Sequence, residues 1–262
     1  MAGNEEFTYF DAQASWGVTK HMGGLKATGR LAELCHLNKD TRLLEVGCGV
    51  GLTSCYLAQR YGCHIVGVDL SPKMVEWATK RAQRKGLLGQ VEYRTADAQD
   101  LPFADGSFDV VMCESVTAFP ADKQKAVSEY TRVTRSGGYV GMNEGTWIQP
   151  PPAELVAYCE RTMAHARFLS VDEWKALLVG AGLLDVIAQP QQMNAFTQRL
   201  DEMAGLDWQD WKDRLRGIGS FIGLYLRNPG FRRYAKEITP SMAMIRDVFR
   251  YLGYGFYVGR KR

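Results

Sequence analysis

The chain lacks the features that mark metalloproteins, secreted proteins and membrane-spanning proteins. Its four histidines form no metal-ligand spacing and its six cysteines include no Cys-x-x-Cys pair, so we predict no metal site. The scattered cysteines indicate reduced, mostly buried thiols in a cytoplasmic protein. No run of about 18 apolar residues is present, which argues against a membrane span. The first ten residues, MAGNEEFTYF, are acidic and polar and predict no secretory signal.

A strong charge imbalance is also missing. The chain has 32 basic and 29 acidic residues, and a net charge of +3 does not by itself indicate a nucleic-acid partner. With 262 residues, of which 46% are hydrophobic, there is material for one large domain and an additional segment.

The sequence is organised around residues 43–51, LLEVGCGVG, which predict a buried strand that leads into a glycine-rich turn. Glycines at 47, 49 and 51 permit backbone angles closed to other residues and let a ligand lie against the main chain. The next apolar run ends at Asp69, 18 positions after Gly51, where a carboxylate can accept hydrogen bonds from both hydroxyls of a ribose. The pattern therefore indicates a βαβ site for a nucleoside.

Two details argue against a dinucleotide at this turn. The fingerprint G-x-G-x-x-G needs a glycine at position 52 or 54, and the chain has Leu52 and Ser54. Glu45 also stands two residues before the first glycine, where its charge would repel a pyrophosphate. A ligand with an ammonium and a sulfonium group suits that carboxylate better, and S-adenosylmethionine is such a ligand.

The segment resembles motif I of the class I S-adenosylmethionine-dependent methyltransferases, in the branch similar to the ubiquinone and menaquinone C-methyltransferases. The resemblance implies S-adenosylmethionine as the cofactor, with its methionine moiety on the glycine turn and its ribose on Asp69. It further implies that Asp97 accepts a hydrogen bond from the adenine amino group and that the backbone beside Ala98 meets a ring nitrogen. The cofactor contacts predicted in this way are Glu45, Gly47, Cys48, Gly49, Gly51, Asp69, Leu70, Asp97, Ala98 and Glu114.

The fold that the resemblance implies is Rossmann-like: a mainly parallel seven-stranded sheet with helices on both faces. After the first strand we predict strands near 66–69, 91–94, 108–113, 139–144, 183–188 and 255–259, of which the last two pair as a hairpin in this family. Residues 132–138 resemble the family's turn before its fifth strand, with Ser136 where proline is usual. Ser71 with Pro72, and Ser170 with Glu173, predict helix starts.

The predicted domain organisation has four parts. Residues 1–22 form an N-terminal cap over the methyl donor, or alternatively an arm whose aromatic residues seal one edge of the core. Residues 23–191 form the cofactor-binding core, and residues 251–262 its final strand. Residues 192–250 form a helical insertion that acts as a lid for the acceptor, or alternatively only stabilises the fold.

The reaction implied is an in-line displacement in which an acceptor atom attacks the methyl carbon on the sulfonium, so the protein mainly aligns the partners and excludes water. A general base is optional. If one is needed, His21 and Glu114 are the catalytic candidates nearest the crevice by analogy, with His165 third. The segment after the fourth strand lacks the motifs of enzymes that methylate nucleic-acid bases. The rival classes are a non-catalytic S-adenosylmethionine-binding protein and a nicotinamide-dependent oxidoreductase.

The insertion suggests a small lipophilic acceptor and peripheral contact with an anionic membrane surface. Residues 212–236 contain seven basic residues and the single acid Asp213. Leu215, Ile218, Ile222 and Tyr225 recur at helical spacing in the same stretch. The alternative is a solvated helix whose long basic side chains cover the core.

Overall fold

The structure is a computed structural model that describes residues 21–193 and 208–262. Most of the predicted cap, residues 1–20, and the first part of the insertion, residues 194–207, therefore lie outside the described residues. The strands are β1 Arg42–Val46, β2 His64–Asp69, β3 Val91–Thr95, β4 Phe108–Glu114, β5 Thr134–Trp147, β6 Leu169–Ser170, β7 Leu183–Gln192 and β8 Leu252–Lys261. The helices are α1 Gly24–Leu34, α2 Leu52–Tyr61, α3 Pro72–Arg84, α4 Lys123–Val133, α5 Ala153–Thr162, α6 Val171–Gly180, α7 Trp208–Arg227, α8 Pro229–Ile238 and α9 Met242–Tyr251.

These strands form one sheet in the order β3-β2-β1-β4-β5-β8-β7, with β6 beside β5. Strands β1 to β5 run parallel to one another, whereas β8 runs antiparallel to its two neighbours, β5 and β7. The predicted Rossmann-like class and the terminal hairpin are confirmed. Successive residues of β1 serve opposite faces: Leu43 packs with α1 and α2, and Leu44 packs with α4 and α6.

Three details of the sheet differ from the sequence prediction. The two-residue strand β6 adds an eighth strand, paired with the end of β5 at Thr146. Strand β5 begins at Thr134, so the predicted turn 136–138 lies within it as an irregularity in its pairing with β4. Strand β7 continues past Ala188 through Pro190, which is tolerated because β7 lies at the edge of the sheet and, among the described strands, pairs with β8 alone.

The order of the strands determines where a ligand can bind. Strands β1 and β4 are neighbours, and the helices that follow them lie on opposite faces of the sheet. A crevice forms at such a reversal, outside the carboxyl ends of the parallel strands. Residues Val46, Asp69, Thr95 and Glu114, which end four of these strands, therefore border one crevice.

The described part of the insertion consists of helices α7, α8 and α9. Helix α9 packs with α5 and β8 around the buried residues Trp147, Leu155 and Leu252. Helix α8 contacts α7 through an edge-to-face pair of Phe231 and Phe221, whose ring centroids are 4.9 Å apart. None of the helices in the two described ranges is both long and apolar enough to cross a membrane.

A buried ion pair attaches the insertion to the core. Nη2 of Arg81 in α3 donates to Oδ1 of Asp210, in the first turn of α7, at 2.6 Å. Nη1 of Arg81 donates to the carbonyl oxygen of Val50 at 2.9 Å, inside the glycine-rich segment. Both side chains of the pair are almost inaccessible to water, at 6% and 2% exposure. The base of α7 is therefore linked, through one guanidinium group, to the turn that precedes α2.

We predict that Asp210→Ala destabilises the protein strongly, because it leaves the Arg81 charge buried without its carboxylate partner. Loss of one member of a buried pair costs about 3–5 kcal/mol. Asp40→Ala is the matched control, because Asp40 pairs with Lys39 at the surface, where both side chains are 79% exposed. Exposed pairs contribute about 0–1 kcal/mol. Urea unfolding of both variants measures the difference, and equal losses would mean that the Arg81–Asp210 pair has no special role.

Candidate functional site

The glycine turn between β1 and α2 is built from backbone hydrogen bonds. The amide groups of Gly47 and Cys48 both donate to the carbonyl oxygen of Val68 at 2.8 and 2.9 Å, which fixes the turn against the end of β2. Gly47, Gly49 and Gly51 have φ values of 73°, 51° and 74°. Other residues rarely adopt these angles, so the three glycines are required by the backbone.

The same turn is also too crowded for side chains at two of its glycines. A Cβ atom at Gly47 would lie 2.1 Å from Cγ2 of Val116, and one at Gly51 would lie 2.6 Å from the Tyr93 hydroxyl. The segment after β4 therefore packs directly on the glycine turn.

Asp69 holds the glycine turn in place from the end of β2. Its Oδ2 accepts a hydrogen bond from the Gly49 amide, and its Oδ1 accepts one from the Ser71 amide, both at 2.9 Å. Burial raises the pKa of Asp69, and the two amide bonds oppose that shift. Each carboxylate oxygen has two lone pairs, so both can still accept a hydrogen bond from a ligand hydroxyl.

Glu45 is buried beneath the turn instead of lining an open pocket. It is 5% exposed, and its Oε2 accepts a short hydrogen bond from the Ser54 hydroxyl in α2. Burial raises the pKa of Glu45 to about 8; the bond from Ser54 opposes the shift, and the charges of Glu114 and Asp69 add to it. Without a cation nearby, Glu45 is therefore largely protonated at neutral pH. The sequence-based prediction had assumed a charged carboxylate at this position.

The predicted adenine segment lies next to Asp69. Ala96 donates its amide to the carbonyl oxygen of Asp69 at 3.0 Å, which places the following residues beside the end of β2. Asp97 is exposed, and its Oδ1 accepts from the Gln99 amide at 2.8 Å, while Ala98 is half-buried. Leu70, directly after β2, is 71% exposed and borders the same crevice as Asp69.

The two proposed catalytic residues lie together. Nδ1 of His21 is 3.7 Å from Oε2 of Glu114 at the end of β4, and both side chains are largely buried. The same Oε2 accepts hydrogen bonds from the hydroxyls of Thr28 in α1 and Thr53 in α2, at 2.9 and 3.2 Å. Nε2 of His21 contacts the Thr28 hydroxyl at 3.3 Å. Residues from α1, α2 and the segment before α1 therefore converge on one carboxylate at the crevice.

The third base candidate, His165, does not share these contacts. It lies after the end of α5, in a turn where it and Ala164 both have positive φ, and it is exposed. Within the described ranges, no group of three or more His, Cys, Asp or Glu side chains is arranged to hold a metal ion. All six cysteines are buried and free of disulfides, as the sequence predicted.

Sequence reasoning missed two residues of β5 that support the site. Asn143 donates from Nδ2 to Oε1 of Glu114 at 3.3 Å and to the carbonyl oxygen of Met22 at 2.9 Å. Glu144 is inaccessible to water, and its Oε1 accepts from the amides of Val116 and Thr117 at 3.1 and 2.8 Å. The only signal in the sequence was a polar pair inside an apolar strand.

The buried carboxyl group of Glu144 is only partly satisfied by hydrogen bonds. Burial raises its pKa, against the opposing effect of the two amide bonds. Its Oε2 and the Oδ1 of Asn143 are buried with no hydrogen-bond partner among the described residues. Such atoms are rare in folded proteins and often lie at functional sites.

The residues of this crevice fit S-adenosylmethionine. The glycine turn presents the Gly49 backbone beside Asp69, Asp69 presents acceptors suited to vicinal hydroxyls, and exposed Leu70 offers an apolar surface. The carboxylates of Asp69 and Glu114 border the same crevice, which favours a ligand that carries positive charge.

A pH-dependence of stability follows from Glu45. Its pKa in the folded protein, about 8, lies above the ordinary value of 4.5, so between these values the folded chain holds a proton that the unfolded chain has lost. The free energy of unfolding therefore falls as the pH rises through that window. We expect Glu45→Gln to gain stability relative to wild type between about pH 5 and about pH 8.5, by on the order of a few kcal/mol.

Urea unfolding at the two pH values measures this gain. Glu92→Gln is the control, because the Glu92 side chain is 54% exposed. A Glu45→Gln variant whose advantage does not change with pH would show that Glu45 is ionised in the folded protein.

Comparison with known proteins agrees with this geometry. Residues 44–142 match the family model described as "Methyltransferase domain". The chain is 35% identical over 163 residues to the 27-O-demethylrifamycin SV methyltransferase of Amycolatopsis mediterranei, covering 60% of this chain and 59% of that protein. It is 31% identical over 159 residues to the chloroplastic tocopherol O-methyltransferase of Arabidopsis thaliana, covering 56% and 45%. The chain thus spans less than two thirds of the length of these relatives.

A solved structure extends the comparison to nearly the whole chain. The S-adenosylmethionine-dependent methyltransferase of Thiobacillus denitrificans, in complex with S-adenosylhomocysteine, superposes with a TM-score of 0.69 at 18% identity and covers 98% of this chain and 100% of its own. At that identity the superposition establishes the fold. Residues 44–142 thus match a methyltransferase domain, and the superposition extends the methyltransferase fold over nearly the whole chain.

Proposed function

We propose that the whole protein transfers a methyl group from S-adenosylmethionine to a small lipophilic acceptor. The observation that carries the proposal is the convergence of the glycine turn, Asp69 and the His21–Glu114 pair at one crevice of the sheet. The first two are suited to the donor. The His21–Glu114 pair is suited to the acceptor, because Glu114, at the end of β4, contacts α1 through Thr28 and the start of α2 through Thr53.

In this proposal the donor residues are those predicted from the sequence, except that Glu114 is assigned to the acceptor side of the crevice. Gly47, Cys48, Gly49 and Gly51 present backbone to the methionine moiety, Asp69 accepts from the ribose, and Asp97 with Ala98 contacts the adenine. Leu70 covers one side of the adenosyl group. Glu45 acts from below the turn, where its ionised form is favoured once a cationic ligand is present.

Bound S-adenosylmethionine supplies a methyl group that is already activated by its positive sulfur. The chain's own residues then have to hold the acceptor in line with it, exclude water and take up a proton where the acceptor loses one. Nε2 of His21 contacts the Thr28 hydroxyl, and Nδ1 lies 3.7 Å from Oε2 of Glu114, so an imidazolium formed on His21 would have a carboxylate beside it.

Support for a lipophilic acceptor comes from the insertion. Helix α7 exposes large apolar side chains next to basic ones, which is suited to an apolar molecule or an anionic lipid surface. One relative is by name a tocopherol methyltransferase. The proposal includes a lid role for residues 192–250 and a kinship with the ubiquinone and menaquinone C-methyltransferases. It leaves open whether carbon, oxygen or nitrogen is methylated.

The main alternative is a protein that binds S-adenosylmethionine without transferring its methyl group, since the fold alone does not determine activity. A single-turnover assay with methyl-labelled donor and a lipid extract separates the two functions. Label in an extracted product supports transfer and identifies the acceptor. Donor binding without any labelled product, from lipid and aqueous extracts alike, would favour the non-catalytic alternative. A binding response to NADH but not to S-adenosylhomocysteine would favour an oxidoreductase.

We expect Asp69→Ala to weaken S-adenosylhomocysteine binding by about 1–3 kcal/mol, because the ribose hydroxyls lose a charged acceptor and the Gly49 amide loses its partner. Isothermal titration calorimetry measures the loss. Asp40→Ala is the control, since Asp40 precedes β1, at the N-terminal ends of the parallel strands and away from the crevice, and its side chain is 79% exposed. Unchanged affinity of a folded Asp69→Ala protein would remove Asp69 from the donor site.

We expect His21→Asn to lower the single-turnover rate by about 10²–10⁴-fold if the identified acceptor loses a proton during transfer. S-adenosylhomocysteine affinity should stay close to that of wild type, because the proposed donor contacts are elsewhere in the crevice. A variant with full rate and normal affinity would exclude His21 as the base.

A further inference from the structure

We propose that the outer face of helix α7 docks on the surface of an anionic phospholipid membrane. This inference deepens the proposed function and rests on it for the acceptor, since a membrane would deliver a lipophilic molecule. It concerns a defined surface, here called the α7 outer face, whose large apolar residues are Trp208, Leu215, Ile218, Ile222, Tyr225 and Leu226.

The outer face is apolar and exposed. Trp208, Leu215 and Leu226 expose 72%, 62% and 70% of their surface, and Ile218 and Ile222 expose more than half of theirs. Their spacing of three, four and seven residues puts them on one side of a helix that turns by about 100° per residue. The stripe runs the whole length of a 20-residue helix, which is about 30 Å.

The opposite side of α7 already has partners within the protein. Asp210 forms the buried ion pair with Arg81, Gly217 is buried, and Phe221 contacts Phe231 of α8. Helix α7 is therefore held in place by one face and presents a second apolar face outward. A contiguous exposed apolar stripe of this kind marks an interaction site.

The charges beside the stripe decide which partner it fits. Exposed Lys212, Arg216 and Arg227 lie along one border of the outer face, at about 60–120° from Leu215 around the helix. Nζ of Lys212 lies 5.5 Å from the ring centre of Trp208, which places a cation beside an aromatic ring. Helix α8 adds exposed Arg233 and Lys236. An apolar stripe bordered by cations is typical of helices that lie in the headgroup region of anionic membranes.

A second copy of the chain fits this face less well. Two α7 helices packed antiparallel along the stripe would bring the same basic borders together, and like charges beside such a seam oppose pairing. Phospholipid headgroups supply the opposite charge over a wide area, and each Lys or Arg near such a surface contributes to binding.

The position of the outer face links it to the donor site. The ion pair of Asp210 and Arg81 fixes the start of α7, and Arg81 also bonds the carbonyl oxygen of Val50 in the glycine-rich segment. A membrane contacted by α7 would thus lie beside the domain at the end where the donor binds in the proposed function.

The test is cosedimentation of the full chain with vesicles of phosphatidylcholine, alone or mixed with phosphatidylglycerol, at low and high salt. Wild type should bind the mixed vesicles more tightly, and salt should weaken that binding. The triple variant Leu215→Gln, Ile218→Gln, Ile222→Gln should lose about tenfold or more in affinity for both vesicles. The triple variant Lys212→Gln, Arg216→Gln, Arg227→Gln should lose about fivefold per charge on mixed vesicles only. Arg232 stays unchanged because it caps α7 through the Tyr225 and Leu226 carbonyls.

The matched control is the double variant Leu88→Gln, Val179→Gln. These two residues lie outside the insertion and are 54% and 55% exposed, which is close to the 54% exposure of Ile218. The control should bind vesicles like wild type. The proposal is overturned if wild type binds neither vesicle, if the apolar triple variant binds as well as wild type, or if wild type is a dimer that this variant converts to a monomer. Calorimetry with S-adenosylhomocysteine is a separate readout: all variants should bind it, and its failure in wild type would reject the proposed function but not the docking surface.

Discussion

The structure depends on a cluster of acidic side chains at the C-terminal ends of its parallel strands. Glu45, Asp69, Glu114 and Glu144 come from β1, β2, β4 and β5, and all are wholly or largely removed from water. Burial disfavours a charge unless hydrogen bonds or an opposite charge compensate it. Each of these carboxylates accepts hydrogen bonds from the chain, and the raised pKa values of Glu45 and Glu144 indicate that this compensation is incomplete. A ligand that carries positive charge into the crevice would complete it.

These hydrogen bonds also determine the shape of the crevice. Asp69 orders the turn after β1, and Glu144 orders the turn after β4, each from a neighbouring strand. Because Val116 packs on Gly47, the two turns support one another. The acids are thus both the electrostatic feature of the site and the means by which its loops are held, so their replacement by neutral residues would alter geometry as well as charge.

Local signals in the sequence were enough to predict the core of the fold. The strand, glycine turn and Asp69 are close in sequence, and their backbone demands are specific to residue type, so the spacing predicts them well. The capping box at Ser170 and Glu173 forms as predicted for the same reason. Strand β7 extends beyond the predicted end because Pro190 is at the sheet edge, and edge position is not visible in the local sequence.

What could not be predicted depends on contacts between residues far apart in sequence. Asn143 reaches Glu114 and Met22, and Glu144 reaches Val116, across neighbouring elements that the sequence does not align. Glu45 was predicted to act through its charge, but its depth below the turn, which controls its protonation, follows from the packing of α2 on the sheet. The base candidates His21 and His165 were indistinguishable by residue type, and only the tertiary structure places one of them beside Glu114.

The buried pair of Arg81 and Asp210 joins residues 129 positions apart and gives the insertion a defined relation to the donor crevice. An insertion held only by surface contacts could move without affecting the glycine turn. Here the guanidinium group of Arg81 bonds both Asp210, in the first turn of α7, and the Val50 carbonyl. Displacement of α7 would leave this guanidinium group buried beside the turn without its carboxylate partner. Order in the turn and order in the insertion are therefore energetically coupled. In the proposed function, a donor that stabilises the turn would therefore also favour the attached position of α7, because coupling between two sites is reciprocal.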